Sequence, residues 1–188
     1  MSKYKIIFDL EFVDIMKERE MKSLVLQLSY CYGLNRYLKN PFNLNLFSFN
    51  NSVKFETEKM GGKFWHVNFN EENFYENEEI ISNKDNLIYL SPDSPNILKD
   101  INQENIFIIG GFVDKPISKN RTLFKANSLG IKTAKLPIDD YMDDLRSSVL
   151  NVNTVVEILG NFIESKNWDF SIKKAIPKRM NFNRKIDN

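Results

Sequence analysis

The sequence is short of the residues that form disulfides or bind soft metals, with one cysteine, Cys31, and one histidine, His66, among 188 residues. A single cysteine excludes an internal disulfide, and these two side chains are too few for a zinc site. The sequence also lacks an apolar run near the roughly 20 residues of a membrane-spanning helix, and it lacks the N-terminal apolar segment of a signal peptide. We therefore expect a soluble protein of the cytoplasm or nucleus that holds no metal.

An excess of charge of one sign is missing as well. The 26 Lys and Arg residues balance 25 Asp and Glu residues, so the net charge is +1 and composition alone does not indicate a nucleic-acid partner. The exception is the C-terminus, which from Ser171 onward contains six basic residues and one acidic residue, Asp187. With 42% apolar residues the chain can build one core. We expect one domain over residues 1–179 and a basic tail over residues 180–188.

Short apolar runs alternate along the chain with segments of helical periodicity. This alternation predicts the α/β class, with a mostly parallel sheet flanked by helices. The expected strands are residues 4–8, 44–49, 86–91, 106–109 and 132–136, with a short strand-like run at 64–69. The expected helices are residues 14–38, 121–129 and a segment from about Asn153, together with a short helix capped by Ser94 that ends near Asp100.

Three loops that follow predicted strands are the first places to look for a ligand site, because ligands bind beyond the carboxyl ends of strands in open parallel sheets. These loops come after Ser91, Ile109 and Leu136. The Gly110-Gly111 pair in the second loop permits close approach of the backbone to a ligand, although a tight turn would use the same residues. Neither a P-loop nor a GxGxxG fingerprint is present, which disfavours nucleoside triphosphate chemistry.

Two polar side chains near these loops are candidate catalytic residues. Asp114 follows the glycine pair, where partial burial would raise its pKa towards that of a useful general base. An exposed loop carboxylate is the alternative. Gln27 borders the apolar face of the first long helix and is placed to reach a substrate base, although a solvated glutamine has the same pattern. The acidic run over residues 139–144 is interpreted as a solvated loop, because it lacks the glycine-punctuated pattern of a calcium site.

Joined together, motifs over residues 9–179 resemble those of the SPOUT-class tRNA purine-9 N1-methyltransferases, which use S-adenosylmethionine. The resemblance covers nearly the whole chain, and the motifs occur in the order and at the spacing of that family. They are Leu-Ile-Tyr-Leu-Ser-Pro-Asp-Ser at 87–94, Ile-Ile-Gly-Gly-Phe-Val-Asp-Lys at 108–115, Leu-Gly-Ile-Lys-Thr-Ala-Lys-Leu-Pro-Ile-Asp at 129–139, Val-Leu-Asn-Val-Asn at 149–153 and Ile-Pro-Lys-Arg at 176–179.

The resemblance implies an α/β domain with a C-terminal trefoil knot, a monomeric state and formation of N1-methylguanosine at position 9 of tRNA. It implies that Asp114 is the general base that removes the N1 proton of guanine and that Gln27 lies near the target nucleotide. The residues that would hold S-adenosylmethionine are Leu90, Ser91, Gly110, Gly111, Thr122, Leu136, Pro137, Ser148, Val149 and Leu150. The residues that would contact RNA are Arg36, Lys115, Lys119 and Arg121.

The chain departs from the family pattern at two places. After Asp114, residues 116–122 read Pro-Ile-Ser-Lys-Asn-Arg-Thr, and Ser147 and Ser148 stand where the family has a basic pair. The basic N-terminal extension common among relatives is also expected to be absent. Two alternatives therefore stay open: N1-methylation of adenosine 9, alone or together with guanosine 9, and a catalytically weak tRNA-binding scaffold.

Overall fold

Six parallel strands form a sheet in the computed structural model, which describes residues 3–113, 120–142 and 150–176. The strands are β1 (Tyr4–Asp9), β2 (Phe42–Phe47), β3 (Asn68–Phe69), β4 (Leu87–Leu90), β5 (Ile106–Gly110) and β6 (Lys132–Ala134). Their order across the sheet is β3-β2-β1-β5-β4-β6, and every neighbouring pair is parallel. The parallel α/β architecture predicted from the sequence is confirmed, whereas the trefoil knot stays a prediction.

Helices cover both faces of the sheet. They are α1 (Glu18–Asn35), α2 (Asn51–Lys59), α3 (Glu78–Ser82), α4 (Arg121–Ser128), α5 (Val152–Ser165) and α6 (Trp168–Ala175). The single helix expected over residues 14–38 is divided into a 3-10 turn (Glu11–Ile15) and α1, because Met16 is extended between them. Among these helices of the described ranges, none combines the length and the apolar character needed to cross a bilayer.

The helix expected to start at Ser94 is wrong. The Ser94 hydroxyl lies 2.9 Å from the hydroxyl of Thr133 instead of capping a helix. The backbone beyond it pairs with the end of β6, since the N–H of Lys135 donates to the Asn96 carbonyl and the N–H of Leu98 donates to the Lys135 carbonyl, each over 2.8 Å. These backbone groups are therefore used in pairing between chain segments and are not available for a helix.

Three helices, α2, α3 and α6, were not expected from the sequence. Each follows an asparagine N-cap: Asn50 accepts a hydrogen bond of 3.3 Å from the Val53 N–H, Asn77 accepts from the Ile80 N–H over 3.1 Å, and Asn167 accepts from the Phe170 N–H over 3.0 Å. Asparagine is a strong N-cap, but all three helices are short and rich in charge, so their apolar periodicity is weak. The basic tail over residues 180–188 lies outside the described residues.

Two separate cores lie on the two faces of the sheet. Alternate residues of a strand point to opposite faces, so Ile6 and Phe8 of β1 join the larger core, which also contains side chains of α1, α5 and α6. Ile7 joins the smaller core together with Tyr89 and Ala126 of α4. The central strands β1, β4 and β5 are therefore largely buried on both faces, and the carboxyl edge of the sheet is left to form a site.

Candidate functional site

A cleft opens beyond the carboxyl ends of β4, β5 and β6, at the edge of the sheet where the sequence predicts a ligand site. Its walls are mainly apolar and include Ile109, Ile138 and Val152, the first residue of α5. Six of the residues predicted to hold S-adenosylmethionine line it: Leu90, Ser91, Gly110, Thr122, Leu136 and Leu150. Three loops that are distant in sequence thus meet in one apolar hollow.

Gly110 lies at a point of the cleft wall that leaves no room for a side chain. A Cβ atom on this residue would lie 2.7 Å from the γ-methyl carbon of Thr122 and 3.2 Å from the hydroxyl oxygen of Tyr89. The Thr122 side chain is β-branched and belongs to α4, so it has little rotamer freedom with which to move away. The absence of a side chain at Gly110 therefore lets α4 and Tyr89 pack closely against the end of β5 in the wall of the cleft.

Two hydrogen bonds join the start of α4 to the loop after β4. The Thr122 hydroxyl donates to the hydroxyl oxygen of Ser91 over 2.9 Å, and the Asn120 N–H donates to Oδ2 of Asp93 over 2.7 Å. Asn120 has a φ of 61°, in the left-handed region that asparagine tolerates better than most residues. These contacts hold α4 against the cleft.

Asp9 is a fully buried carboxylate at the carboxyl end of β1, paired with Gly110 across the sheet. Its Oδ2 atom accepts hydrogen bonds from the Tyr89 hydroxyl over 2.7 Å and from the Lys125 ammonium of α4 over 2.6 Å. The same ammonium also pairs with Glu11. An ionised group in the interior requires such partners, because an unpaired buried charge is strongly destabilising. The network therefore fixes α4 to the sheet directly behind the cleft.

Two tyrosines that contact this network have a raised pKa. Burial raises the pKa of Tyr89 well above its usual range, and the adjacent Asp9 carboxylate adds to the effect. Tyr75 donates a hydrogen bond of 3.2 Å to Glu11, and its pKa is raised to about 12, first by burial and then by the Glu11 charge. Both phenols are hydrogen-bond donors at neutral pH, so neither is a candidate general base.

Gln27 is buried, at 7% exposure, so the alternative of a solvated glutamine is wrong. Its Oε1 atom accepts a hydrogen bond of 2.9 Å from the N–H of Val152, and its Nε2 atom lies 3.5 Å from the Ser23 hydroxyl. The first N–H groups of a helix have no partner within the helix, and Gln27 supplies one to α5. Because Val152 lines the cleft, this contact positions one of its walls.

Two residues predicted to hold S-adenosylmethionine are placed beside the cleft rather than in its wall. A Cβ on Gly111 would lie 2.9 Å from a methyl carbon of Leu10 and 3.2 Å from the Asp9 carbonyl oxygen, to which the Gly111 N–H donates over 2.8 Å. Pro137 is buried between two lining residues. Both glycines thus allow close packing, Gly110 against Thr122 of α4 and Gly111 against the end of β1.

The remaining predicted site residues are the proposed general base, the four predicted RNA contacts and two residues predicted to hold S-adenosylmethionine. Five lie outside the described residues: Asp114, Lys115, Lys119, Ser148 and Val149. Arg121 is the first residue of α4 and lines a second hollow together with Phe124. Arg36 is exposed at the C-terminal end of α1, away from the cleft.

The described ranges 3–113, 120–142 and 150–176 contain no group of three or more His, Cys, Asp or Glu side chains suited to a metal ion. At the rim of the cleft, Lys135 and Asp139 form an ion pair of 3.3 Å. Cys31 is buried in the larger core, which raises the pKa of its thiol and makes it an unreactive packing residue. The described part of the cleft therefore offers apolar walls and hydroxyl groups.

Comparison with known sequences gives a consistent family assignment. A family model described as tRNA (guanine(9)-N(1))-methyltransferase TRM10/TRM10A matches residues 1–181. The tRNA (guanine(9)-N1)-methyltransferase of Schizosaccharomyces pombe is 36% identical over 182 residues, which cover 95% of this chain and 59% of that protein. The tRNA methyltransferase 10 homolog A of Mus musculus is 32% identical over 181 residues, which cover 95% of this chain and 54% of that protein.

Comparison with solved structures agrees with the sequence match. The crystal structure of full-length spTrm10 in complex with SAH superposes with a TM-score of 0.85 at 36% identity, covering 94% of this chain and 96% of that chain. The chain spans 59% and 54% of the length of the two curated relatives. The similarity therefore extends over nearly all of this chain but only part of those proteins.

Proposed function

Because the chain belongs to the tRNA (guanine(9)-N(1))-methyltransferase TRM10/TRM10A family and has its SPOUT fold, we propose that it transfers the methyl group of S-adenosylmethionine to N1 of guanosine 9 in tRNA. The observation that carries this proposal is the family match over residues 1–181, a range that includes every described residue lining the cleft. The related Schizosaccharomyces pombe protein is named for the same reaction.

The lining of the cleft suits S-adenosylmethionine, which has an apolar adenine ring, ribose hydroxyl groups and a cationic sulfonium. Leu136 and Leu150 supply apolar surface for the ring, and Ser91 supplies a hydroxyl group. Gly110 lines the cleft without a side chain of its own. S-adenosylmethionine supplies an electrophilic methyl group when bound. The residues of this chain bind and orient it and exclude water from the hollow.

The chemistry at guanine needs a proton acceptor, because neutral guanine carries a proton on N1 and has no free lone pair there. We assign that role to Asp114, which follows β5 and Gly110 closely in the chain although it lies outside the described residues. Its carboxylate takes the N1 proton, and the electron pair released at N1 forms the bond to the methyl carbon while the bond from that carbon to sulfur breaks, which leaves S-adenosylhomocysteine. Gln27 acts from behind the cleft wall by holding the start of α5.

RNA binding is assigned to four basic residues, three of which are close to the start of α4 in the sequence. Arg121, Lys115 and Lys119 lie in or next to the segment that leads into α4, and Arg36 lies at the end of α1. Their charges neutralise phosphates, which positions the RNA without reading its sequence. The target base must leave its stack to enter the cleft, as with other enzymes that act on bases.

Adenosine 9 is the competing target, and the role of Asp114 distinguishes the two. Adenine N1 already has a lone pair, so its methylation requires no base in the same step. We expect Asp114→Asn to abolish methylation of guanosine 9. If the wild-type chain also methylates adenosine 9, that activity is expected to survive in the variant.

We further propose that the protein is a monomer of the cytoplasm or nucleus. The family resemblance supports the monomer, and the single cysteine fits a reducing compartment. Light scattering is expected to give a mass near 22.1 kDa, and a mass of twice that value would contradict the monomer.

The direct test of the reaction is methyl transfer from labelled S-adenosylmethionine to two tRNA transcripts that differ only in G or A at position 9, with the modified site mapped. We expect label on N1 of guanosine 9 alone. Label on adenosine 9 would change the assigned base. Absence of label on both transcripts, with S-adenosylmethionine still bound, would favour a tRNA-binding scaffold.

A further inference from the structure

A second surface with the chemistry of an RNA contact lies at the opposite edge of the sheet from the cleft. α1 starts just beyond the carboxyl end of β1 and runs back, so its last turn is near the start of β2. The 3-10 turn Gly62–Phe64 precedes β3 and lies at the same amino edge. Arg36 is nine residues beyond Gln27, which corresponds to about 14 Å along the helix.

Aromatic rings join α1 to this turn. Tyr32 and Trp65 are stacked, with ring centroids 5.5 Å apart and an interplanar angle of 17°. The Arg36 guanidinium carbon lies 5.9 Å from the centre of the Tyr32 ring. The Tyr32 hydroxyl donates a hydrogen bond of 3.5 Å to the Phe64 carbonyl. We call this group of residues, with Phe64 and Lys63, the aromatic platform.

The outer part of the aromatic platform contributes little to folding. Trp65 packs against the larger core, but the Phe64 side chain next to it is 71% exposed. The Lys63 ammonium lies 5.0 Å from the centre of the Phe64 ring. An exposed phenylalanine buries almost no apolar area and so adds almost nothing to stability. Its ring is therefore available as a stacking surface for a partner.

The charges of the aromatic platform are also available. Neither Arg36 nor Lys63 forms an ion pair within the part of the chain that the structure describes. Lys59, by contrast, pairs with Glu56 over 2.8 Å. Unpaired cations beside exposed rings suit a partner that has both negative charge and flat aromatic groups. Single-stranded segments of RNA have both, since bases stack on aromatic side chains while phosphates pair with cations.

We propose that the aromatic platform is a second RNA contact, at which an unpaired nucleotide of the tRNA stacks on Phe64 while Arg36 and Lys63 pair with neighbouring phosphates. The identity of the RNA as tRNA rests on the proposed function. The aromatic platform is at the opposite edge of the sheet from the cleft, so it holds a part of the RNA other than the nucleotide that is methylated. It contributes affinity and not chemistry.

The test measures tRNA affinity of the 188-residue chain over a series of salt concentrations, for the wild type and for Phe64→Ala and Arg36→Ala. We expect Phe64→Ala to raise the dissociation constant roughly tenfold without changing the salt dependence, because it removes stacking alone. Arg36→Ala is expected to reduce the slope of log affinity against log salt by about 1, because it removes one phosphate contact.

Phe170→Ala is the matched control. Phe170 of α6 is 49% exposed, and the Lys174 ammonium lies 5.4 Å from the centre of its ring. This pair therefore has the same arrangement as Phe64 and Lys63. The Phe170→Ala variant is expected to bind tRNA with the affinity of the wild type. The unfolding midpoint of Phe64→Ala should be unchanged, which separates lost binding from lost folding.

The outcomes distinguish this inference from the proposed reaction. Weaker tRNA binding by Phe64→Ala, with kcat at saturating tRNA and binding of S-adenosylmethionine unchanged, supports the aromatic platform. If the wild-type chain binds tRNA but transfers no methyl group, the proposed reaction fails while loss of binding in Phe64→Ala still supports the aromatic platform. Wild-type tRNA affinity in both Phe64→Ala and Arg36→Ala, or no tRNA binding by the wild type, would overturn the inference.

Discussion

The carboxyl and amino edges of the sheet differ in whether their charged and aromatic side chains are buried and paired or exposed to solvent. At the carboxyl edge, the charges of Asp9 and Lys125 are paired in the interior, and the hydroxyls of Ser91 and Thr122 bond to each other. At the amino edge, the Phe64 ring and the Arg36 and Lys63 cations of the aromatic platform face solvent. Changes at the carboxyl edge are therefore expected to affect stability and cleft shape, whereas changes at the amino edge affect only what binds there.

The largest effect is expected from breaking the buried pair at the carboxyl edge. Lys125→Met leaves the Asp9 carboxylate without its cation in a fully buried position. Loss of one partner of a buried pair costs about 3–5 kcal/mol, and we expect a loss of that size in the free energy of unfolding measured with urea. The double variant Asp9→Asn with Lys125→Met should recover much of it, because no buried charge remains.

Lys22→Met is the control for this prediction. Lys22 pairs with Glu18 over 2.5 Å one helical turn away, and both side chains are at least half exposed. Exposed pairs of this kind contribute little, so the urea midpoint should not change. A similar loss of stability in Lys22→Met and Lys125→Met would contradict the contrast between buried and exposed charges.

The next effect is expected at Gly110, where the cleft wall has no room for a methyl group. Gly110→Ala places a Cβ 2.7 Å from the γ-methyl carbon of Thr122, and overpacking of this kind costs about 1–3 kcal/mol. We expect lower stability and weaker binding of S-adenosylmethionine in calorimetry. Adding Thr122→Ser removes that methyl group but keeps the hydroxyl for Ser91, so the double variant should recover both properties.

Gly33→Ala is the matched control in α1. A Cβ at Gly33 would meet nothing within 4 Å, and alanine favours a helix over glycine by about 1 kcal/mol. This variant should be slightly more stable and bind S-adenosylmethionine as the wild type does. Loss of ligand binding in both glycine variants would show that the effect at Gly110 is not local.

An effect no larger than that at Gly110 is expected at Gln27. Gln27→Ala leaves the buried N–H of Val152 without its partner, which costs about 1–3 kcal/mol. Gln27→Glu keeps an acceptor oxygen at that place and should retain more stability. If Gln27→Glu is stable yet slow in methyl transfer at saturating ligands, Gln27 also acts on the substrate. Equal stability of Gln27→Ala and the wild type would exclude the capping role.

The smallest effect concerns alkaline pH. The pKa of Tyr75 is raised from 10.0 to about 12 by burial and Glu11, so between these pH values the unfolded chain loses a proton that the folded chain keeps. The contribution of Tyr75 to the free energy of unfolding therefore falls as pH rises above 10.0. Tyr75→Phe should lose less stability than the wild type over that range in urea titrations. A larger loss in the variant would contradict the assigned direction.

Much of the fold was predictable because β4 and β5 are uninterrupted apolar runs and β1 has three consecutive apolar residues at its centre, as is usual for strands buried on both faces. The helix expected at Ser94 was wrong because a residue with good capping chemistry was used instead in a contact with Thr133 that is distant in sequence. Tertiary pairing of this kind has no local signal. α2, α3 and α6 were missed because only their asparagine caps, and not their apolar periodicity, indicate them.

In the candidate site, too, features with a local sequence signal were predictable and features that depend on tertiary contacts were not. The cleft position followed from the loops after strands, and six predicted residues line it. The pairing of Asp9 with Lys125 was not foreseen, because the two residues are far apart in the sequence and each is ordinary in its own segment. The position of Asp9 directly after an apolar strand was the one available signal. The role of Gln27 as a partner of α5 likewise depends on tertiary contact.

The most direct test of the central claim is a crystal structure of this chain with S-adenosylhomocysteine. We expect the ligand in the cleft beyond β4, β5 and β6, with its adenine between Leu136 and Leu150 and its amino acid chain near Gly110. A ligand bound elsewhere, or a cleft filled by the chain itself under saturating ligand, would contradict the assignment of the carboxyl edge as the methyl-donor site.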